Sequence, residues 1–146
     1  MTSRRAKDSL VNKILAIVDT GYLVALVRRE DEHHEWAVRL SKEVQLPLLT
    51  CEAVLAETAF MLHSSAYVLA MLRREVLRVA LDCAAHAKEL LDLAVRYADR
   101  KPDLADLCLI RMSELFPSHS IFTVDSDFRV YRRNKREVIP TICPPN

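Results

Sequence analysis

The chain reads as an α/β protein, a small parallel sheet wrapped by helices in a single domain, and three observations predict this. Apolar runs of strand length stand at residues 14–18, 121–124 and 138–142. Long stretches rich in alanine and leucine lie between the first two, as crossover helices must when neighbouring strands run parallel. Two of the runs are closed by an acid, Asp19 after Ile17-Val18 and Asp125 after Thr123-Val124. In open α/β sheets, sites form beyond the carboxyl ends of the strands.

Taken in order, Ile14-Leu15-Ala16-Ile17-Val18 suits a strand covered on both faces. Asp19-Thr20-Gly21 supplies the turn or cap into a short helix over 20–28, with Tyr22, Leu23 and Leu26 apolar. A polar stretch then leads to a helix over 34–44, where Trp36, Leu40 and Val44 recur every fourth residue. After Pro47, Leu48-Leu49-Thr50 is a second brief extended segment, and Thr50 is the expected N-cap of a helix reaching residue 63. Residues 64–100, without glycine or proline, predict helix in at least two pieces broken near 81–83. Pro102 stops that segment, Asp103 caps a helix to about 116, and Pro117-Ser118 closes it. The strand-like 121–124 and 138–142 follow, ending at Cys143-Pro144-Pro145-Asn146.

A chain of 146 residues with 51% hydrophobic content fits one domain with a real core. Residues 1–13, with Arg4, Arg5, Lys7 and Lys13, read as a basic leader preceding a domain over 14–146. The near balance of 21 basic and 20 acidic residues means that any nucleic-acid affinity has to come from local patches. The four cysteines form no C-x-x-C pair and no zinc-finger spacing, which fits reduced thiols inside a cell. With no apolar run long enough for a signal peptide or a membrane span, the expected location is cytoplasmic. The single glycine, Gly21, excludes glycine-rich phosphate loops and dinucleotide fingerprints.

Four acids then stand where acids are costly: Asp19, Glu57 among Val54, Leu55, Phe60 and Met61, Asp106 among Leu104, Leu107 and Ile110, and Asp125. Buried alone, a carboxylate takes up a proton, whereas a group of them facing one divalent cation stays ionised. Singly, each is more often a helix cap or a loop residue; Asp103 reads first as a cap and Asp127 as a loop acid. Together they make a candidate oxygen-only site for Mg²⁺ or Mn²⁺, hard cations that meet substrates through phosphate. That chemistry suits phosphodiester hydrolysis. Arg129, Arg132, Arg133, Lys135 and Arg136 follow the last acids and are candidates for holding an RNA backbone, with Tyr131 as a possible stacking platform. A solvated charged edge explains the run about equally well. His33 and His34 read as a surface helix start.

These residues resemble the PIN-domain ribonucleases, and within them the VapC toxins of toxin–antitoxin pairs. The matching segments are Ile17-Val18-Asp19-Thr20-Gly21, Glu32-His33-His34-Glu35, Val54-Leu55-Ala56-Glu57, Leu104-Ala105-Asp106, and Thr123-Val124-Asp125-Ser126-Asp127-Phe128 with Arg129-Val130-Tyr131. They occur in family order over residues 14–142. The resemblance implies a PIN-like sheet and an endoribonuclease (a hydrolase) using Mg²⁺ or Mn²⁺. It makes Asp19, Glu57, Asp106 and Asp125 the metal-binding catalytic set. Asp127 and Asp103 become accessory acids, and Thr20 and Thr123 orient carboxylates or water. It implies an RNA substrate, a small antitoxin partner and a homodimer. Gly21 departs from the small polar residue usual there. The alternative is a catalytically inactive PIN-like module that binds RNA or a protein; the complete acid set argues against it. A phosphatase with Asp19 as nucleophile would want an acid two residues on, where Gly21 stands.

Overall fold

The structure, a computed structural model, describes residues 13–145, so the basic leader lies outside the described residues except for Lys13. Five short strands form one parallel sheet: β1 (Ala16–Val18), β2 (Leu48–Thr50), β3 (Leu77–Val79), β4 (Ser120–Phe122) and β7 (Thr141–Ile142), in the spatial order β3-β2-β1-β4-β7. Between β4 and β7 a separate two-stranded hairpin pairs β5 (Arg132–Arg133) with β6 (Glu137–Val138). The chain moves from β1 outward through β2 and β3, then returns to the other side of β1 for β4. The reversal between β1 and β4 leaves a crevice at their carboxyl ends.

Among the described residues, six α-helices cover the sheet: α1 (Thr20–Val27), α2 (His34–Ser41), α3 (Glu52–Leu62), α4 (Ser65–Arg73), α5 (Ala87–Arg96) and α6 (Leu104–Leu115). Ala16, Ile17 and Val18 have no exposed surface, as a central strand covered on both faces requires. Tyr22 of α1 meets Phe122 and Trp36 edge-on, while α6, with Ala105, Leu109 and Met112 among its buried residues, packs on β1, β4 and α3. Among the described residues, no helix is long and apolar enough to cross a membrane.

The structure differs from the sequence expectations in several places. Residues 64–100 are not continuous helix: β3 lies inside them, with Leu77 buried and Arg78 exposed at the sheet edge. Glu75 makes the turn into β3 at φ 60, so no glycine or proline marks it. The helical break runs from Arg74 to His86 rather than near 81–83 alone. Thr50 is the last residue of β2, its hydroxyl donating to the Val18 carbonyl, and Cys51 takes the N-cap position of α3. Helix α2 ends at Ser41, and Ile14 makes only an isolated bridge to Val44. The segment 138–142 is two strands because Pro140 cannot donate to a ladder.

With a single glycine, this chain places His63, Glu75, Lys101, Asn134 and Lys135 in the left-handed region, with φ between 48 and 71. His63 follows α3 in the position where glycine is favoured. His63→Gly is expected to raise the urea midpoint of unfolding, a gain of about 1 kcal/mol; an unchanged or lower midpoint would show that the left-handed residue costs nothing here.

Candidate active site

The register of the two central strands builds the core of the site. Val18 pairs with Phe122, and the Asp19 amide continues the ladder to the Phe122 carbonyl at 3.0 Å. The next pair is therefore Asp19 opposite Thr123, and the Thr123 hydroxyl donates to Asp19 Oδ2 at 2.8 Å. The same hydroxyl oxygen accepts from the Asp125 amide at 2.9 Å, tying the two strand ends together. Asp19 Oδ1 accepts from the Thr20 amide at 2.7 Å, so this acid also caps α1. The Thr20 hydroxyl in turn donates to Glu57 Oε2 at 3.0 Å, drawing α3 to the crevice. Only Gly21 leaves room for the close approach of Val124, since a side chain there would collide with it.

Glu57 stands at the boundary of the core rather than inside it. Val54 and Thr58 are buried, whereas Phe60 and Met61, which sequence reasoning placed on the inward face, are exposed. They line an open depression of about 490 Å³ with Thr20, Ala56 and Glu57. Asp106 enters from the first turn of α6, where it forms a reciprocal cap with Asp103: the Asp106 amide donates to Asp103 Oδ1 at 2.8 Å, and the Asp103 amide to Asp106 Oδ2 at 3.4 Å. Asp103 is thus a cap at the rim, as its sequence context suggested. Asp127 is exposed, and its amide donates to Asp125 Oδ1 at 2.8 Å.

Electrostatics shows that these acids share one region. Asp19 is only 8% exposed. Burial pushes its carboxyl from 3.8 up to about 6; the Thr123 hydroxyl and Thr20 amide oppose the rise, and the charges of Asp125 and Glu57 add to it. Asp106 is pushed up to about 7 by burial first, then by the charges of Asp103, Asp19 and Asp125. Neighbouring acids thus destabilise the ionised forms of Asp19 and Asp106, the situation a cation relieves.

The donor set is all oxygen, which fits Mg²⁺ or Mn²⁺. A further observation agrees with this. The buried Tyr131 hydroxyl has no hydrogen-bond partner among the described residues, and the charges of Asp106, Asp127 and Asp125 act on it, helping burial to push its pKa up to about 12. A polar group buried without a partner beside acids fits a site that takes up an ion with its waters. Among the described residues, no three His, Cys, Asp or Glu side chains already stand as a preassembled ion-holding group. Like charges repel, so a bound cation would be what draws these carboxylates closer.

The basic run divides. Tyr131 is fully buried, edge-on to Tyr97 and Phe128, so the stacking role expected for it is corrected: it belongs to the floor beneath the acids. Arg133 is also corrected. Its side chain is 11% exposed and pairs with Glu137 at 3.2 Å. It also donates to the Ser113 and Pro117 carbonyls at 2.9 and 3.3 Å, locking the hairpin to the end of α6. Arg132 turns back onto the carbonyls of Arg129, Val130 and Tyr131. Arg129, Lys135 and Arg136 remain exposed, and Arg129 lines a cavity of about 400 Å³ with Ser126, Val124 and His33.

Thr123→Val tests the bridge between the strand ends. It keeps the shape while removing the donor to Asp19 and the acceptor of the Asp125 amide. The expected result is a loss of about 1–3 kcal/mol in urea unfolding, with RNA cleavage falling on the order of 10- to 100-fold. Unchanged cleavage would show that the bridge does not position Asp19.

Comparison with known proteins agrees with this architecture. No curated protein matches the chain by sequence. Among solved structures, the VapC20 toxin of Mycobacterium tuberculosis, described as cleaving the sarcin–ricin loop, superposes with a TM-score of 0.68 at 23% identity, covering 79% of this chain and 93% of its own. The PIN domain family model matches residues 16–134, from the first residue of β1 to the turn of the β5–β6 hairpin, and spans Asp19, Glu57, Asp103, Asp106, Asp125 and Asp127. The chain belongs to the PIN domain family.

Proposed function

We propose that this protein is a metal-dependent endoribonuclease, a hydrolase of RNA phosphodiester bonds, acting as the cytoplasmic toxin of a toxin–antitoxin pair. The observation that carries the reading is the hydrogen-bonded chain Glu57–Thr20–Asp19–Thr123–Asp125, which joins acids from β1, α3 and the end of β4 at the switch point of the sheet. The likeness to a VapC toxin and the family membership support it. The complete acid set argues against the alternative of an inactive binding module.

Asp19, Glu57, Asp106 and Asp125 are the side chains that would hold Mg²⁺ or Mn²⁺. Such an ion, when bound, polarises a phosphoryl oxygen and makes a water a stronger acid. The chain's own contribution is positional. Thr123 bonds one oxygen of Asp19 and the Thr20 amide bonds the other, so this carboxylate is held in one orientation. Thr20 orients Glu57. Asp103 holds Asp106 at the head of α6, while Asp125, with Asp127 behind it, caps the turn at Ser126–Arg129. Arg129, Lys135 and Arg136 offer cations to an RNA backbone on the rim. The apolar Phe60 and Met61 beside Glu57 offer a flank on which a small antitoxin could cover the acids. A homodimer is part of the proposal, in line with the toxins that the sequence resembles.

The test is cleavage of RNA by the purified chain with Mn²⁺ and with a chelator. Products only with the metal support the reading; RNA binding that is equal in both conditions, without products, would favour the binding module.

The division of the basic run carries its own prediction. Replacing both Lys135 and Arg136 by alanine is expected to weaken RNA binding and lower the slope of log affinity against log salt by about 0.7 for each phosphate no longer neutralised, with stability unchanged. Arg133→Ala is expected to cost about 2 kcal/mol in urea unfolding, mainly because the Ser113 and Pro117 carbonyls lose their donor, while Glu137 is largely solvated. If Arg133→Ala lowers RNA affinity without loss of stability, the assignment of roles is reversed.

A further inference from the structure

Three of the cysteines, scattered in sequence at Cys51, Cys83 and Cys108, converge in the fold. Cys108 lies on α6 two residues after Asp106 and is fully buried. Its Sγ is 3.5 Å from Sγ of Cys83, which sits in the loop between β3 and α5. Cys51, at the head of α3, is near enough that the Cys108 thiol is the largest cause lowering the Cys51 pKa. All three are free thiols. Cys83 is half-buried and lines the largest of the cavities described, about 580 Å³, together with Glu52, Leu81 and Asp82. None of the four acids lines that cavity, so a small oxidant can reach Cys83 without entering the acid site.

We propose that Cys83 and Cys108 form a reversible disulfide, made by a peroxide entering from the Cys83 cavity, which ties α6 to the β3–α5 loop and slows RNA cleavage. The sulfur atoms are already in contact, and closing the bond needs the separation to fall from 3.5 Å to about 2.05 Å. The loop carrying Cys83 can supply that movement, and strain that it does not absorb falls on α6 just beyond Asp106. In the first step the Cys83 thiolate attacks one peroxide oxygen. An S–O bond forms, the O–O bond breaks, and the departing hydroxide takes up the proton that Cys83 gave, leaving water and a sulfenic acid. In the second, Cys108 Sγ attacks the Cys83 sulfur. The S–S bond forms, the S–O bond breaks, and the hydroxide leaves as a second water with the proton of Cys108. Two thiols lose two electrons in all, and one peroxide becomes two waters. Inside a reducing cell such a bond is transient, as redox-sensing disulfides are.

The slowing of cleavage rests on the nuclease reading; the crosslink does not, and the experiment separates them. The full chain is treated with hydrogen peroxide, its remaining thiols are alkylated under denaturing conditions without reductant, and linked peptides are identified by mass. The expected product is an intramolecular Cys83–Cys108 peptide, two hydrogens lighter than its reduced parts and restored by dithiothreitol. RNA cleavage should fall on the order of 10- to 100-fold on oxidation and return on reduction. Cys83→Ser, a change in a half-exposed loop, should fold, cleave at the parent rate and ignore peroxide. A crosslink through Cys51 or Cys143, oxidation that stops at a single sulfur, or equal peroxide sensitivity in Cys83→Ser would overturn the inference. A chain that forms the crosslink but never cuts RNA would refute the nuclease reading and leave the disulfide standing.

Discussion

Asp19→Asn is expected to lower RNA cleavage by about 1000-fold, while the variant folds and, without divalent metal at pH 7.5, unfolds at the same or a higher urea concentration than the parent. The two halves of this result have one cause. Asp19 is the most buried of the four acids, and its charge is opposed by burial and by Asp125 and Glu57. Asparagine keeps the shape and one hydrogen-bond acceptor, loses the acceptor for either Thr20 or Thr123, and removes the charge. The relief of charge, on the order of 3 kcal/mol for a carboxyl raised from 3.8 to about 6, offsets the lost hydrogen bond. A residue kept only as a helix cap would behave in the opposite way, with stability falling and activity little changed. Rates of cleavage and urea midpoints measured on one preparation separate the two outcomes.

The second large effect is a stability that depends on pH and metal together. Asp19 and Asp106 have folded-state pKa values raised from 3.8 to about 6 and about 7. Between these limits the folded chain binds more protons than the unfolded one, so its stability falls as pH rises. The loss begins near pH 4 and is complete only above about pH 7, the reverse of a salt-bridged carboxylate. The metal-free protein is therefore expected to have its Tm lowered by about 10 °C through these groups between pH 5 and pH 8. Added Mn²⁺ should recover much of this at pH 8 and little at pH 5, where protons already occupy the carboxyls. Thermal melts at the two pH values, with and without Mn²⁺, check the sign directly. A metal-free protein that grows more stable from pH 5 to pH 8 would show that the acids do not repel one another as described.

Much of this arrangement was legible in the amino-acid sequence, for identifiable reasons. Asp19 and Asp125 each close an apolar strand, and a parallel sheet carries such residues to one edge. Asp106 was legible because Pro102 and Asp103 announce the helix start that places it. Glu57 was proposed for a partly mistaken reason: it accepts a hydrogen bond from Thr20 at the crevice, while the Phe60 and Met61 beside it in sequence are exposed. The edge strand β3 was hidden because its turn is made by a left-handed Glu75 rather than a glycine. The roles of Tyr131 and Arg133 could not be read from a run of cations, since only the β5–β6 hairpin folding onto α6 decides which side chains turn inward. The gathering of Cys51, Cys83 and Cys108 is likewise a property of topology, which brings the head of α3, the β3–α5 loop and α6 together.

The claim beneath all of this is that four separated carboxylates converge to bind one kind of hard divalent ion. Calorimetric titration of Mn²⁺ into the metal-free chain at pH 6.5, repeated in buffers of different ionisation enthalpy, tests it most directly. The account predicts saturable binding with release of about one proton, since Asp19 and Asp106 are partly protonated at that pH, and no such binding in Asp19→Asn. Absence of saturable heat in the parent, or unchanged binding in the variant, would contradict it.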